Sequence, residues 1–221
     1  MRPRVRVLLP TWNPFYVRMC LEFCIPSLLA PGNLPALAAE TDCELVILTR
    51  EADRPLFDES PVLAALEATL PVRFLDLSDL VVEGLYGFTL TYGFLRAMEA
   101  CGEDMTRTHF VFLVGDCVVA DGSFRSLVRP IREGRSMVLG GNVRAVFEDV
   151  ADALRERIDP NGAVLAVPPR ELVGHTIRHL HPTALGRVYN QDACHVVQPN
   201  FLLWKVDEAT LLCHCFSMHM L

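Results

Sequence analysis

Four short apolar runs, Val5–Leu9 (VRVLL), Glu44–Leu48 (ELVIL), Val72–Leu75 (VRFL) and Phe110–Val114 (FVFLV), alternate with segments of helical apolar spacing. Runs of this length, bounded by turn residues, read as strands rather than buried helices. Strands alternating with helices imply an α/β fold, a mostly parallel, Rossmann-like sheet with helices on both faces. The fourth run is the most apolar and reads as a strand buried on both faces.

The intervening segments supply the helices. Phe15, Met19 and Phe23 share one helical face, and Pro26 is expected to break that helix. Asn33 and Pro35 signal a further short helix, and Ser60-Pro61 opens one with Val62, Leu63, Leu66 and Leu70 inward. Leu85, Phe88, Tyr92, Leu95 and Met98 predict an amphipathic helix over 84–101, stopped by Gly102. Gly87 and Gly93 weaken it intrinsically and point to close approach of its backbone to a strand or ligand. Beyond Ser123, the pattern predicts a helix over Phe124, Leu127, Val128 and Ile131, then a strand at Met137–Gly141. Helices through Leu154 and from Pro168-Pro169 follow, and strands at His195–Gln198 and Phe201–Val206 close the chain.

The 221 residues suit one α/β domain, with residues 1–145 as a nucleotide-fold-like part and 146–221 as a decorating C-terminal part. A 51% hydrophobic content and mean hydropathy of +0.28 supply a sizeable core. The longest apolar runs fall short of a membrane span, and MRPRVRVLLP lacks the apolar stretch of a signal peptide. Net charge −7 without a basic block disfavours a general nucleic-acid binder. Eight cysteines without a CxxC pair read as mostly buried, reduced thiols of a cytoplasmic protein. The chain ends at His219-Met-Leu221 within sequence that reads as structured, as a fragment or truncated reading frame would.

In a parallel sheet the loops after the strands converge on one edge, where ligands bind. That edge would carry Pro10-Thr11-Trp12, Thr49-Arg50, Asp76 and Gly115-Asp116. LLPTWNPF holds neither GxGxxG nor GxxxxGK[ST], so dinucleotide dehydrogenases and P-loop enzymes are poor candidates. A carboxylate at a strand end can hold a divalent cation that neutralises a diphosphate; equally, Asp116 can simply turn the chain. Trp12 is open to core packing or to base stacking.

The order of VRVLLPTWN, a helix, and FVFLVGDCVVADGS resembles nucleotide-sugar glycosyltransferases of the GT-A fold, the bacterial glycosyltransferase-like family. The resemblance spans most of the chain. It implies transfer of a sugar from a nucleoside-diphosphate donor to a glycan, lipid or protein acceptor, with Mn²⁺ or Mg²⁺ bridging the diphosphate. Asp116 would hold the metal, joined by the late histidine His219 in FSMH. Pro10, Thr11, Trp12, Thr49, Arg50 and Gly115 would line the donor pocket, with Trp12 stacking and Arg50 on ribose or phosphate. Asp192, in YNQDACH, would be the acceptor base of an inverting transferase, or else an ordinary turn aspartate. The family pattern has a second carboxylate two residues after the first, where this chain has Val118. A GT-A-like binding or scaffold protein without catalysis is therefore the alternative. A third is a metal-dependent hydrolase built on His175, His179 and His181 or on Cys213-His214-Cys215 with Cys194-His195.

Overall fold

The computed structural model describes residues 2–192 and 201–215. The elements run β1 (Arg4–Pro10), α1 (Pro14–Met19), a π-turn (Cys20–Cys24), α2 (Ile25–Leu28), α3 (Leu34–Glu40), β2 (Asp42–Thr49), α4 (Arg54–Asp58), α5 (Pro61–Thr69) and β3 (Val72–Asp76). They continue with α6 (Tyr86–Glu99), β4 (Thr108–Phe112), α7 (Arg125–Arg132), α8 (Phe147–Arg155), α9 (Pro169–Arg178), α10 (Pro182–Leu185), β5 (Phe201–Asp207) and β6 (Thr210–Cys215). The chain divides into two compact units, the first holding the residues up to Ser136 with Ile158–Ala166, the second Met137–Arg157 with the described residues from Val167 on. No helix among the described residues is long and apolar enough to cross a membrane.

The first unit is an all-parallel, four-stranded sheet in the order β3-β2-β1-β4, a Rossmann-like arrangement. Alternation along the strands divides the core between two faces. Val5, Val7, Leu9, Leu45 and Ile47 face one way, against Val17, Leu28, Leu34, Leu66 and Phe124. Leu8, Val46 and Leu48 face the other, against Leu77, Phe94, Ala97 and Met98. Helices thus cover both faces, as expected.

Three expectations are corrected in this unit. Pro26 does not end the first helix. The π-turn before it, closed by the Ile25 N–H on the Cys20 carbonyl, widens the backbone where a proline ring would otherwise meet a carbonyl, and the chain stays helical to Leu28. The fourth strand is half-buried, not buried on both faces, because β4 lies at an edge of the sheet. Its ladder to β1 nevertheless continues past the strand, through Leu113 N–H to Leu8 O (3.0 Å) and Gly115 N–H to Pro10 O (3.2 Å).

The third correction concerns α6, which packs with the opposite face from the one its large apolar residues mark. Thr89, Gly93 and Ala97 are buried, while Leu85, Phe88, Tyr92 and Leu95 are 44–55% exposed. On the sheet face beneath, Leu8, Leu48, Phe110, Phe112 and Leu77 leave room for the small residues Thr89, Gly93 and Ala97 at the centre of the contact, flanked by Phe94 and by Met98 from the expected stripe. A methyl on Gly93 would lie 3.1 Å from Leu77 Cδ2 and 3.6 Å from Leu48 Cδ2, the close approach anticipated for that glycine; at Gly87 nothing lies within 4 Å.

In the second unit, α8 and α9 form where patterning places them. Residues 137–141 do not form the expected strand: Met137, Val138 and Leu139 are exposed, and Gly140-Gly141 follow. β5 pairs antiparallel with β6, which patterning missed, and Trp204 on β5 stacks on Tyr189 at 5.7 Å between ring centroids. The strand expected at His195–Gln198 lies outside the described residues.

Candidate functional site

The sheet order makes β1 a branch point. The chain leaves β1 for β2 and β3 on one side, then returns to place β4 on the other. Crevices form at the carboxyl ends of strands where the connections diverge in this way. Here the two bordering segments are Pro10-Thr11-Trp12 after β1 and Gly115-Asp116 after β4.

Both segments are fixed by packing. Thr11 is 3% exposed and donates its N–H to Leu48 O at 2.9 Å, while its Oγ1 is buried without a hydrogen-bond partner. Gly115 is buried against it: a Cβ there would stand 2.6 Å from Thr11 Cβ and Oγ1. Asp116, the next residue, is exposed, and its carboxylate has no hydrogen bond or ion pair among the described residues. Glycine is therefore required where the loop dives between β1 and the π-turn, and the carboxylate emerges immediately after. Asp121 is instead tied into structure, its Oδ1 accepting the Gly32 N–H at 2.6 Å. Val118 is half-buried.

Two thiols, Cys20 and Cys24, lie behind this loop, and a third, Cys43, sits at the opposite, amino end of β2. Cys20 and Cys24 are buried, and Cys43 is buried on β2. The Cys24 thiol is pushed well up, first by its hydrogen bond with Cys20, then by burial, with the charge of Asp116 adding to both. Burial pushes the Cys43 thiol up to about 12. Cys24 and Cys43 are thus held as neutral thiols at neutral pH, in line with the expected reduced, packed cysteines. Cys101 and Cys117 are half-buried and Cys213 is exposed, none of the three in a disulfide among the described residues.

On the other side of β1 the rim is built around a residue that sequence patterning overlooked. Asp53 is 1% exposed, and its carboxylate accepts Arg50 Nε (2.6 Å), Arg50 Nη2 (3.0 Å) and the Asn13 N–H (2.9 Å). Burial raises the Asp53 carboxyl, but the Arg50 hydrogen bond and the Asn13 amide outweigh it and hold the group below the usual carboxylate range. Asn13 is the only non-glycine residue with positive φ (75°) among the described residues, and its Oδ1 caps α1 by accepting the Phe15 N–H at 3.0 Å. The Arg-x-x-Asp spacing in TREAD was the available signal for the Arg50–Asp53 pair.

Thr49 is 3% exposed, with its Oγ1 buried and unpartnered, and Pro10 is buried. Trp12 is half-buried against the cluster that α6 covers. Further along, Asp76 Oδ1 accepts Ser78 Oγ (2.6 Å), Ser78 N–H (2.9 Å) and Glu51 N–H (3.2 Å), which stitches the loops after β2 and β3 together. The Ser78 hydroxyl is the main reason the Asp76 carboxyl is held low.

Of the expected site residues, Pro10, Thr11, Trp12, Thr49, Arg50, Gly115 and Asp116 thus all belong to one edge of the first unit. Asp192 is an exposed turn residue of the second unit, and His219 lies outside the described residues. In the second unit His175 Nε2 is 3.8 Å from Glu171 Oε1 and His179 Nδ1 is 3.5 Å from Asp149 Oδ2. No group of three His, Cys, Asp or Glu side chains placed to hold a metal occurs among the described residues. An open groove of about 530 Å³ lies between α3 and α7, away from the rim; two of its three arginines have local partners, Arg132 with Glu40 and Arg129 with Glu133 at 3.8 Å.

Among the described residues the rim presents the exposed Asp116 carboxylate beside the buried hydroxyls of Thr11 and Thr49. Magnesium and manganese ions that bridge a diphosphate need only one or two protein carboxylates, the remaining positions going to phosphate oxygens and water. Asp116 is the side chain that could hold such a shared ion, and the described residues offer no all-protein metal cage. Comparison with protein-family models, with curated proteins and with solved structures finds no match to this chain.

Proposed function

We propose that the first unit binds a nucleoside-diphosphate sugar at the β1/β4 crevice and that the protein is a GT-A-like glycosyltransferase acting on a glycan, lipid or protein acceptor. The observation that carries this reading is the pairing of Gly115 with Thr11 at the branch point, after which the Asp116 carboxylate emerges exposed at the rim. A divalent cation shared between Asp116 and the donor would supply charge neutralisation of the leaving diphosphate. The chain's own residues do the positioning. The Asn13–Asp53–Arg50 cluster fixes the loops after β1 and β2, and Trp12 is anchored by its packing on the sheet.

A second reading, binding without transfer, is favoured by Val118, which stands where the glycosyltransferase pattern has its second carboxylate. Donor hydrolysis separates the two. Wild-type protein with UDP- and GDP-sugars and Mn²⁺ is expected to release nucleoside diphosphate, and Asp116→Ala to abolish the release. Donor binding without release at any metal concentration favours the second reading. Absence of donor binding overturns both.

A further inference from the structure

Helix α7 gathers arginines on its outer side. Leu127, Val128 and Ile131 pack inward on the core of the first unit, while the period of 3.6 places Arg125, Arg129 and Arg132 together on a solvent-facing side, with Arg135 just past the helix. Because they lie at helical spacing, no unbroken basic block is visible along the chain. The side chains of Arg129, Arg132 and Arg135 are 85%, 58% and 68% exposed. Two glutamates stand among them: Glu40 pairs with Arg132, and Glu133 lies 3.8 Å from Arg129 and 3.3 Å from Arg135. The Arg125 side chain has no hydrogen bond or ion pair among the described residues. The face is therefore net positive, in a chain whose net charge is −7. Exposed ion pairs of this kind contribute little and exchange readily for another anion.

Immediately beyond, with only Ser136 between them and Arg135, come Met137, Val138 and Leu139, which are 62%, 48% and 48% exposed. Three consecutive large apolar side chains in solvent are a fault in a folded surface unless they serve a function. Residues 137–141 are neither helix nor strand, so they offer no regular face for a shaped protein surface to fit.

An anionic bilayer meets both demands. Its headgroup phosphates match the arginines, its acyl boundary takes apolar side chains, and a fluid surface requires no fixed shape of the segment that enters it. Basic residues on a helix face followed by exposed apolar ones suit a membrane-surface segment. We infer that residues 125–139 dock the protein peripherally on an anionic lipid surface, with Arg125, Arg129, Arg132 and Arg135 on the headgroups and Met137, Val138 and Leu139 at the acyl boundary. The inference is independent of the donor-site reading, because none of these residues belongs to the rim.

Co-sedimentation of the full chain with phosphatidylglycerol/phosphatidylcholine vesicles, and with pure phosphatidylcholine vesicles, tests this. Wild type is expected to bind the anionic vesicles at least tenfold more tightly. Raising the salt from 0.1 M to 1 M, which shortens the screening length from about 10 Å to about 3 Å, is expected to release most of it. Each arginine at such a surface strengthens binding by roughly fivefold, so Arg125→Gln/Arg129→Gln is expected to weaken it by roughly twentyfold. The charge-matched control Arg107→Gln/Arg170→Gln, at exposed positions elsewhere, is expected to bind as wild type does. Met137→Ser/Val138→Ser/Leu139→Ser is expected to weaken binding at least tenfold, through lost apolar burial. Circular dichroism matching wild type shows that the variants fold, and Asp116→Ala is expected to bind vesicles normally. Equal binding to both kinds of vesicle, a control that weakens binding as much as the α7 variant, or an apolar variant that binds like wild type overturns the proposal. Capture by polyglutamate with no vesicle binding overturns it in favour of an acidic protein partner.

Discussion

Gly115 rests directly on Thr11: a methyl added at residue 115 would stand 2.6 Å from the Cβ and Oγ1 of Thr11 and 3.3 Å from Cys20 Cβ. Two of those three atoms belong to a residue whose own amide is tied to Leu48 O, so the contact cannot relax by a side-chain rotation alone. Gly115→Ala is expected to destabilise the protein by about 1–3 kcal/mol through overpacking. Urea denaturation measures this, and an unchanged midpoint would mean that the β1/β4 edge is loosely packed.

The two glycines of α6 should respond in opposite directions. A side chain at Gly87 meets nothing, so Gly87→Ala is expected to stabilise by about 0.5–1 kcal/mol through backbone entropy. Gly93 faces Leu77 and Leu48, so Gly93→Leu is expected to cost about 1–3 kcal/mol or more. Thermal melts read out both.

This pair also shows what was legible in the sequence. The four strands and most helices of the first unit follow from period and turn residues, because both sheet faces had to be apolar. The orientation of α6 was not legible, since a helix is normally expected to bury its largest apolar residues. The sheet beneath, lined by Phe110, Phe112 and Leu77, takes the small residues Thr89, Gly93 and Ala97 at the contact centre with Phe94 and Met98 at its margins. The edge position of β4 was equally hidden, because strand order depends on pairing rather than on the strand's own residues. At the rim, the Gly115-Asp116 pair stood out in the sequence, whereas Asp53 did not. One of its partners is the amide of Asn13, forty residues away.

Asp53 gives the rim a pH dependence. Its folded-state value is lowered, so the unfolded chain takes up the proton first as pH falls. The stabilisation is complete above the ordinary aspartate value of about 3.9 and is lost as pH drops through the folded value. Asp53→Asn is expected to cost about 1–3 kcal/mol at pH 7, since it removes a buried hydrogen-bonded charge from a partly exposed Arg50. Its stability should also decline less steeply than wild type below about pH 4. Parallel slopes for the two proteins in acid denaturation would show that the pair contributes nothing.

The most direct test of the proposed donor site is a crystal structure of the protein soaked with a nucleoside diphosphate and Mn²⁺, with anomalous data collected at the manganese edge. The nucleotide is expected in the crevice between the ends of β1 and β4, with a manganese peak at coordination distance from the Asp116 carboxylate and lost in Asp116→Asn. A nucleotide bound elsewhere, or a peak that persists without the carboxylate, would contradict it.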